Sequence, residues 1–301
     1  MRATTKLREL ITSKATIMLP GTFNALVARM IEKKGFDVVY CTGGGISASL
    51  LGMPDIGLLS LTEMSQYVGH IAKAVNIPVI SDADTGFGNA INVMRTVHEF
   101  EKQGVAGIHI EDQVFAKRCG HLAGKEVIST EEMVGKISAA IAARQDPDFI
   151  LIARCDAKST EGMEGLIQRC RMYADAGADV IFPEALSTKE ELIEFRKAVP
   201  NVPLFANMTE FGKTPFFTAE EWGKMGYQMI VYPVTTLRVA MKPVEQFLIE
   251  LKATGTQKNW ISKMQTREEL YDVINYAHYT ECENKYLPRG GIDPLLDSKK
   301  K

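Results

Sequence analysis

The chain has 301 residues, a formal net charge of -2 and a pI near 6.3. That length can bury one large core or two ordinary ones, and the near balance of charge gives no electrostatic reason to expect nucleic acid or an anionic membrane as partner. The five cysteines, Cys41, Cys119, Cys155, Cys170 and Cys282, are odd in number, scattered and without a CxxC pair, which points to reduced thiols and away from a disulfide framework or structural zinc.

The N-terminus, MRATTKLRELITSKA, has charges spread through it and no apolar leader core, and no apolar run of about 18 residues follows, so a cytoplasmic protein with a small-molecule partner is expected. Short β-branched or apolar runs then recur: TIMLPG (16–21), DVVYCTGGG (37–45), IPVISDADTG (77–86), VAGIHIEDQ (105–113), DFILIARCDA (148–157), ADVIFPEA (178–185), PLFANMTE (203–210) and QMIVYPVTT (228–236). Amphipathic segments separate them, two with capping-box starts, Ser60 with Glu63 and Ser129 with Glu132. Continuous apolar strands joined through helices must run parallel, and eight such units match the usual (β/α)8 length of about 250 residues. A closed (β/α)8 barrel is the expected fold, ahead of an open doubly wound sheet, since no GxGxxG follows the first strand. Further helices are expected from about residue 244, as an extension of a single domain spanning 1–301, ending in the polar tail LDSKKK.

In such a barrel the strands' C-terminal ends build the site. Here they carry Tyr40, Thr42 and Gly43 to Gly45; Asp82 and Asp84; His109, Glu111 and Asp112; Arg154 and Asp156; Glu184; Asn207 and Thr209; and Thr235, Thr236 and Arg238. Asp156, isolated after a strand, reads as a helix N-cap. Asp82 and Asp84, two apart, would point the same way in an extended strand and so call for a cation. Oxygen donors, with His109 and Glu111 near enough to act through water, suit Mg²⁺, or Mn²⁺, better than zinc. Arg154 and Arg238 are forks suited to carboxylate or phosphate. Gly43 to Gly45 either offer backbone N–H donors to the same anion or make a tight turn. In KRCGHLAGK (117–125) Cys119 lies among Lys117, Arg118 and His121 on a glycine-flanked polar loop. Cations lower a thiol's pKa, making Cys119 a usable general acid for a carbanion left by C–C cleavage.

The motifs KRCGH (117–121), DADTGFG (82–88), HIEDQ (109–113), ARCDA (153–157), FPEA (182–185), NMTEFGKTP (207–215), YPVTTLR (232–238) and MQTREELY (264–271) together resemble the isocitrate lyase and phosphoenolpyruvate mutase superfamily, and within it the 2-methylisocitrate lyases. The resemblance spans about residues 15 to 285. It implies a (β/α)8 barrel whose last helix is exchanged between subunits, a homotetramer, and Mg²⁺-dependent cleavage of a small di- or tricarboxylate, methylisocitrate, to pyruvate and succinate. Carried over by position, it implies metal binding at Asp82 and Asp84 with His109 and Glu111 as outer shell. It places the keto-acid carboxylate on Thr42, Gly43, Gly44 and Arg154, with Gly120, Glu184, Asn207, Thr209, Arg238 and Arg267 as further substrate positions and Cys119 as the catalytic acid. Tyr40 is the expected base.

Two positions depart from the family pattern. Thr42 stands where Ser is commoner, adding a methyl at the pyruvate pocket, and Cys155 stands where ARTDA has Thr, a weaker donor expected near the arginine. Both bear on the choice between methylisocitrate and its sibling substrate 2,3-dimethylmalate, whose lyase releases pyruvate and propionate. A non-catalytic carboxylate sensor is the alternative from another class.

Overall fold

The computed structural model describes residues 1–13, 16–118 and 124–287. Eight strands, β1 (Ile17–Thr22), β2 (Val39–Cys41), β3 (Val79–Asp82), β4 (Gly107–Glu111), β5 (Ile150–Cys155), β6 (Val180–Pro183), β7 (Phe205–Asn207) and β8 (Met229–Tyr232), coincide with the eight apolar runs, β1 passing the end of its run by one residue and the others lying inside theirs. They pair in parallel in the order β6-β5-β4-β3-β2-β1-β8-β7. A parallel bridge between Ile181 and Leu204 draws the two edges together. The result is a nearly closed α/β barrel of the (β/α)8 type. The chain divides into two compact units, Met1–Ala240, which holds the barrel, and a second that begins at Met241 with helical residues and includes the helices Arg267–Val273 and Tyr276–Tyr286.

The strands alternate as parallel barrel strands must. Val39, Cys41, Ile108, Ile110, Ala153, Cys155 and Ile181 face the layer of helices outside, while Ile17, Leu19, Tyr40, Ile80, Ile150, Ile152, Phe182, Phe205 and Val231 fill the interior. The N-terminal stretch, whose charges are spread through it, forms a helix, Ala3–Thr12. Its Leu7 and Ile11 are buried in the interior cluster with Ile17, Val38, Ile150 and Met229, and Arg8 donates to Asp179 at 3.1 Å. That apolar face closes one end of the barrel interior. The capping box at Ser60 and Glu63 is complete, and Ser129 accepts from the Glu132 N–H at 3.1 Å.

Candidate active site

At the other end of the strands the interior changes from apolar to ionisable. Alternation along β4 and β5 sends His109, Glu111 and Arg154 inward from positions cross-strand to one another, Asp82 beside His109 and Glu111 beside Arg154. Asp82, His109, Glu111, Asp156 and Glu184 are all buried. The side chains therefore meet in a low-dielectric mouth where unbalanced charge is costly.

Asp82 and Asp84 do come together, by a route other than strand alternation. β3 ends at Asp82, and Asp84 adopts a left-handed backbone with φ 46° that folds its N–H back onto Asp82 Oδ1 at 2.9 Å. Burial pushes the Asp84 carboxyl up to about 6, against the pull of Lys117. Lys117 Nζ lies 3.1 Å from Asp84 Oδ1 and 2.5 Å from Asp55 Oδ1. Burial alone would lower that ammonium, but Asp84, Asp55 and Asp82 outweigh it and hold it well above its ordinary value.

Tyr40 and His109 form a stacked pair, rings 5.8 Å apart and within 4° of parallel, with Tyr40 Oη 2.6 Å from His109 Nε2. His109 Nε2 is also 3.4 Å from Asp82 Oδ1. Burial keeps the imidazole neutral, its pKa pushed down to about 4. Burial and then the charge of Asp82 push the Tyr40 phenol well above its usual range, so it stays protonated. A base of that kind takes a proton only as it passes its own to His109.

Arg154 is held by acids on three sides. Its Nε donates to Asp156 Oδ2 at 2.8 Å and lies 3.3 Å from Glu111 Oε2, while Nη2 reaches Asp156 Oδ1 at 3.2 Å and Glu184 Oε2 at 3.3 Å. The guanidinium also stands over the Phe182 ring, 5.1 Å from its centre. Asn207 Nδ2 donates to Glu184 Oε2 at 3.1 Å, and its Oδ1 is buried without a partner. Asp156 is no N-cap, contrary to the sequence-based expectation: the helix Lys158–Asp175 is preceded by Ala157 with no side-chain cap, and the Asp156 carboxylate is committed to Arg154 and to Lys125 Nζ at 2.9 Å.

The three glycines do not make a tight turn. They open a short helix, Gly43–Ile46, with Thr42 as N-cap accepting from the Gly45 N–H at 3.3 Å. As first residues of a helix, Gly43 and Gly44 have N–H groups with no acceptor inside it. A Cβ on Gly43 would sit 2.5 Å from Asp82 Oδ2, and one on Gly44 3.1 Å from Asp55 Oδ2, so only glycine lets this backbone lie against the carboxylates. The Thr42 methyl packs on Gly45, where a Cβ would meet it at 2.4 Å. Cys155 faces outward and donates to Asp112 Oδ2 at 3.0 Å, so its exchange for Thr lies on the helix side of the sheet and not beside the Arg154 guanidinium.

Of the remaining expected residues, Thr209 is half-buried just past β7. Arg238 is half-exposed, 3.5 Å from Glu210 Oε2 and 5.2 Å from the centre of the Phe211 ring. Arg267 lies in the second unit, at the first position of the helix Arg267–Val273. Arg118 is held by its backbone, whose N–H and carbonyl both bond the Gln113 amide at 2.9 Å. Cys119, Gly120 and His121 lie outside the described residues. Asp55 went unnoticed in the sequence, and Lys125 was read only as the end of the KRCGHLAGK stretch. Asp55 follows Pro54 in a loop with no strand to announce it, and Lys125 falls on the far side of the KRCGH motif.

The mouth thus gathers six carboxyl groups, Asp55, Asp82, Asp84, Glu111, Asp156 and Glu184, around three bases, Lys117, Lys125 and Arg154. Both Glu111 oxygens are buried without a hydrogen-bond partner. Among the described residues no group of three or more His, Cys, Asp or Glu side chains forms a ligand cluster of the kind that encloses a metal. Magnesium, which keeps several waters and takes only one or two carboxylates, fits such a donor set, with Asp82 and Asp84 to hold it and Glu111 to accept from its waters.

A family model described as phosphoenolpyruvate phosphomutase matches residues 7–252. The chain belongs to the phosphoenolpyruvate mutase/isocitrate lyase superfamily. Like its relatives, this superfamily member is an enzyme of the lyase type. It is 49% identical to a 2-methylisocitrate lyase of Aeropyrum pernix over 91% of this chain and 87% of the relative. A solved 2,3-dimethylmalate lyase superposes with a TM-score of 0.91 at 36% identity, covering 97% of this chain and 99% of the other. A phosphonopyruvate hydrolase solved with oxalate and Mg²⁺ superposes with a TM-score of 0.87 at 30% identity, covering 95% and 100%. No helix among the described residues is long and apolar enough to cross a membrane.

Proposed function

We propose that this superfamily member is a Mg²⁺-dependent lyase that cleaves 2-methylisocitrate to pyruvate and succinate. The observation that carries the reading is the seat of Lys117. Its ammonium is buried between Asp55 and Asp84, and Cys119 follows two residues later, within about 7 Å of chain. The expected thiol is two residues along the chain from a side chain seated in the acid-rich mouth.

When bound beside Asp82 and Asp84, magnesium would acidify the substrate's α-hydroxyl and stabilise the keto acid that forms. Arg154 and the Gly43 and Gly44 N–H groups fix the adjoining carboxylate. The hydroxyl proton passes to Tyr40 Oη while the phenol hands its own proton to His109 Nε2, a transfer the 2.6 Å contact permits. The bond between the carbinol carbon and its neighbour breaks, its electron pair moving onto the succinate fragment as an aci-carboxylate. Asn207, Thr209 and Arg238 face that fragment together with Glu184, the resemblance adding Arg267 and Gly120 to the substrate positions, and Cys119 returns one proton to its carbon, leaving pyruvate and succinate. In sequence Cys119 stands beside Lys117, Arg118 and His121, basic residues of the kind that favour ionisation of a thiol.

The Aeropyrum relative supports methylisocitrate, and the solved dimethylmalate lyase supplies the competing substrate. The same resemblance supports a homotetramer with an exchanged helix, for which exposed Leu248 and Ile249 on the helix Thr235–Thr254 offer apolar surface. Pyruvate release, coupled to lactate dehydrogenase, should be faster from 2-methylisocitrate than from 2,3-dimethylmalate at matched concentration and should stop with EDTA. Faster release from dimethylmalate would reassign the substrate, and no pyruvate from either would end the lyase reading.

A further inference from the structure

We propose that Asp112, with Tyr173 and Arg169 of the helix Lys158–Asp175, is a positioning unit outside the barrel that sets Arg154 in the mouth through Asp156. The inference rests on the reading of Arg154 as the grip on the keto-acid carboxylate. Asp112 follows β4 and is wholly buried. Its Oδ1 accepts the Asp156 N–H at 2.8 Å, and its Oδ2 accepts from Tyr173 Oη at 2.8 Å and Cys155 Sγ at 3.0 Å, with Arg169 Nη1 at 3.5 Å.

The alternation of β5 gives this cluster its leverage. Arg154 points into the barrel, Cys155 points out and Asp156 points in again, so Asp112 holds the strand end from behind by the thiol of one residue and the N–H of the next. Asp156 in turn bonds two edges of the Arg154 guanidinium, at 2.8 and 3.2 Å. The other ligand of Asp156 is governed from the same place. Arg169 Nη1 donates to the Ile128 carbonyl at 2.8 Å and the Ile128 N–H donates to the Asp112 carbonyl at 2.9 Å, anchoring the segment that carries Lys125 to Asp156. Arg169 is itself braced by Glu161, whose two oxygens accept from Nε at 2.7 Å and Nη2 at 2.5 Å. None of these outer residues reaches the mouth. A buried carboxylate with this many donors holds one orientation, because turning it would strand several polar groups at once.

The test is calorimetric titration of the full chain with pyruvate and, separately, with succinate, both with Mg²⁺, in the wild type, Tyr173→Phe and Asp112→Asn. Tyr173→Phe keeps the ring in the core and removes one donor to a charged acceptor, so its Kd for pyruvate should rise about tenfold. Asp112→Asn should raise it further, while succinate affinity stays within about twofold in both. A purely structural role would weaken both ligands together; that result, or unchanged pyruvate binding in a folded variant, overturns the proposal. Should Asp112→Asn fail to fold, Tyr173→Phe decides. This selective effect in the variants, with a wild type that cleaves neither substrate, would sink the lyase reading and leave the positioning unit standing.

Discussion

The two ends of the barrel interior are built from the same strands and obey opposite rules. At the N-terminal end Leu7 and Ile11 complete an apolar cluster with Ile17, Val38, Ile150 and Met229, and its stability comes from burial that needs no particular geometry. At the C-terminal end six carboxyl groups surround three cationic side chains, both buried Glu111 oxygens lack a hydrogen-bond partner, and Asp84 is a carboxylate held against its preference. Two residues along a strand separate Ile152 from Arg154 and Ile80 from Asp82. One end stabilises the barrel and the other spends part of that stability on chemistry.

Substitutions should separate the ends cleanly. Leu7→Ala should lower unfolding free energy by about 2–5 kcal/mol in denaturant titration, the cost of a core cavity, with KM unchanged. Altered KM at full stability would mean that the closed end reaches the site. Gly43→Ala should do the reverse. Its Cβ would stand 2.5 Å from Asp82 Oδ2, and displacing that carboxylate should cut kcat/KM about 100-fold with little change in Tm; full activity would show that the glycine helix is mere connection. The smallest effect is expected from Asp84→Asn, which should raise the Tm of metal-free protein by about 2–4 °C, the shift that roughly 1 kcal/mol gives in a domain of this size. The sign follows from the carboxyl's rise to about 6 from an unfolded value of 3.8. The penalty is absent below 3.8 and grows as pH rises through 6. Metal-free wild type should therefore gain stability relative to Asp84→Asn as pH falls from 7.5 to 5, and parallel melting curves would contradict this.

The same contrast governs what could be seen in the sequence. Apolar runs announce strands wherever they end up, so all eight were legible, whereas the helix Ala3–Thr12 was hidden because Leu7 and Ile11 sit among charges whose partners are distant in sequence. At the mouth the residue types were legible and their partners were not. Asp156 looked like a cap because only folding brings Lys125 and Arg154 to it. Cys155 looked like a neighbour of the arginine because adjacency in sequence hides the reversal of side along a strand. Asp55 belongs to no strand, and only the Lys117 contact and its approach to Gly44 reveal it.

The most direct test of the account is to compare turnover with binding in Cys119→Ser. If the mouth is a lyase site served by that thiol, the variant should bind Mg²⁺ and methylisocitrate as the wild type does while pyruvate release falls by about 10²–10⁴-fold, the range of general acid catalysis. Pyruvate release at the wild-type rate would contradict the account and leave Cys119 without a part in the chemistry.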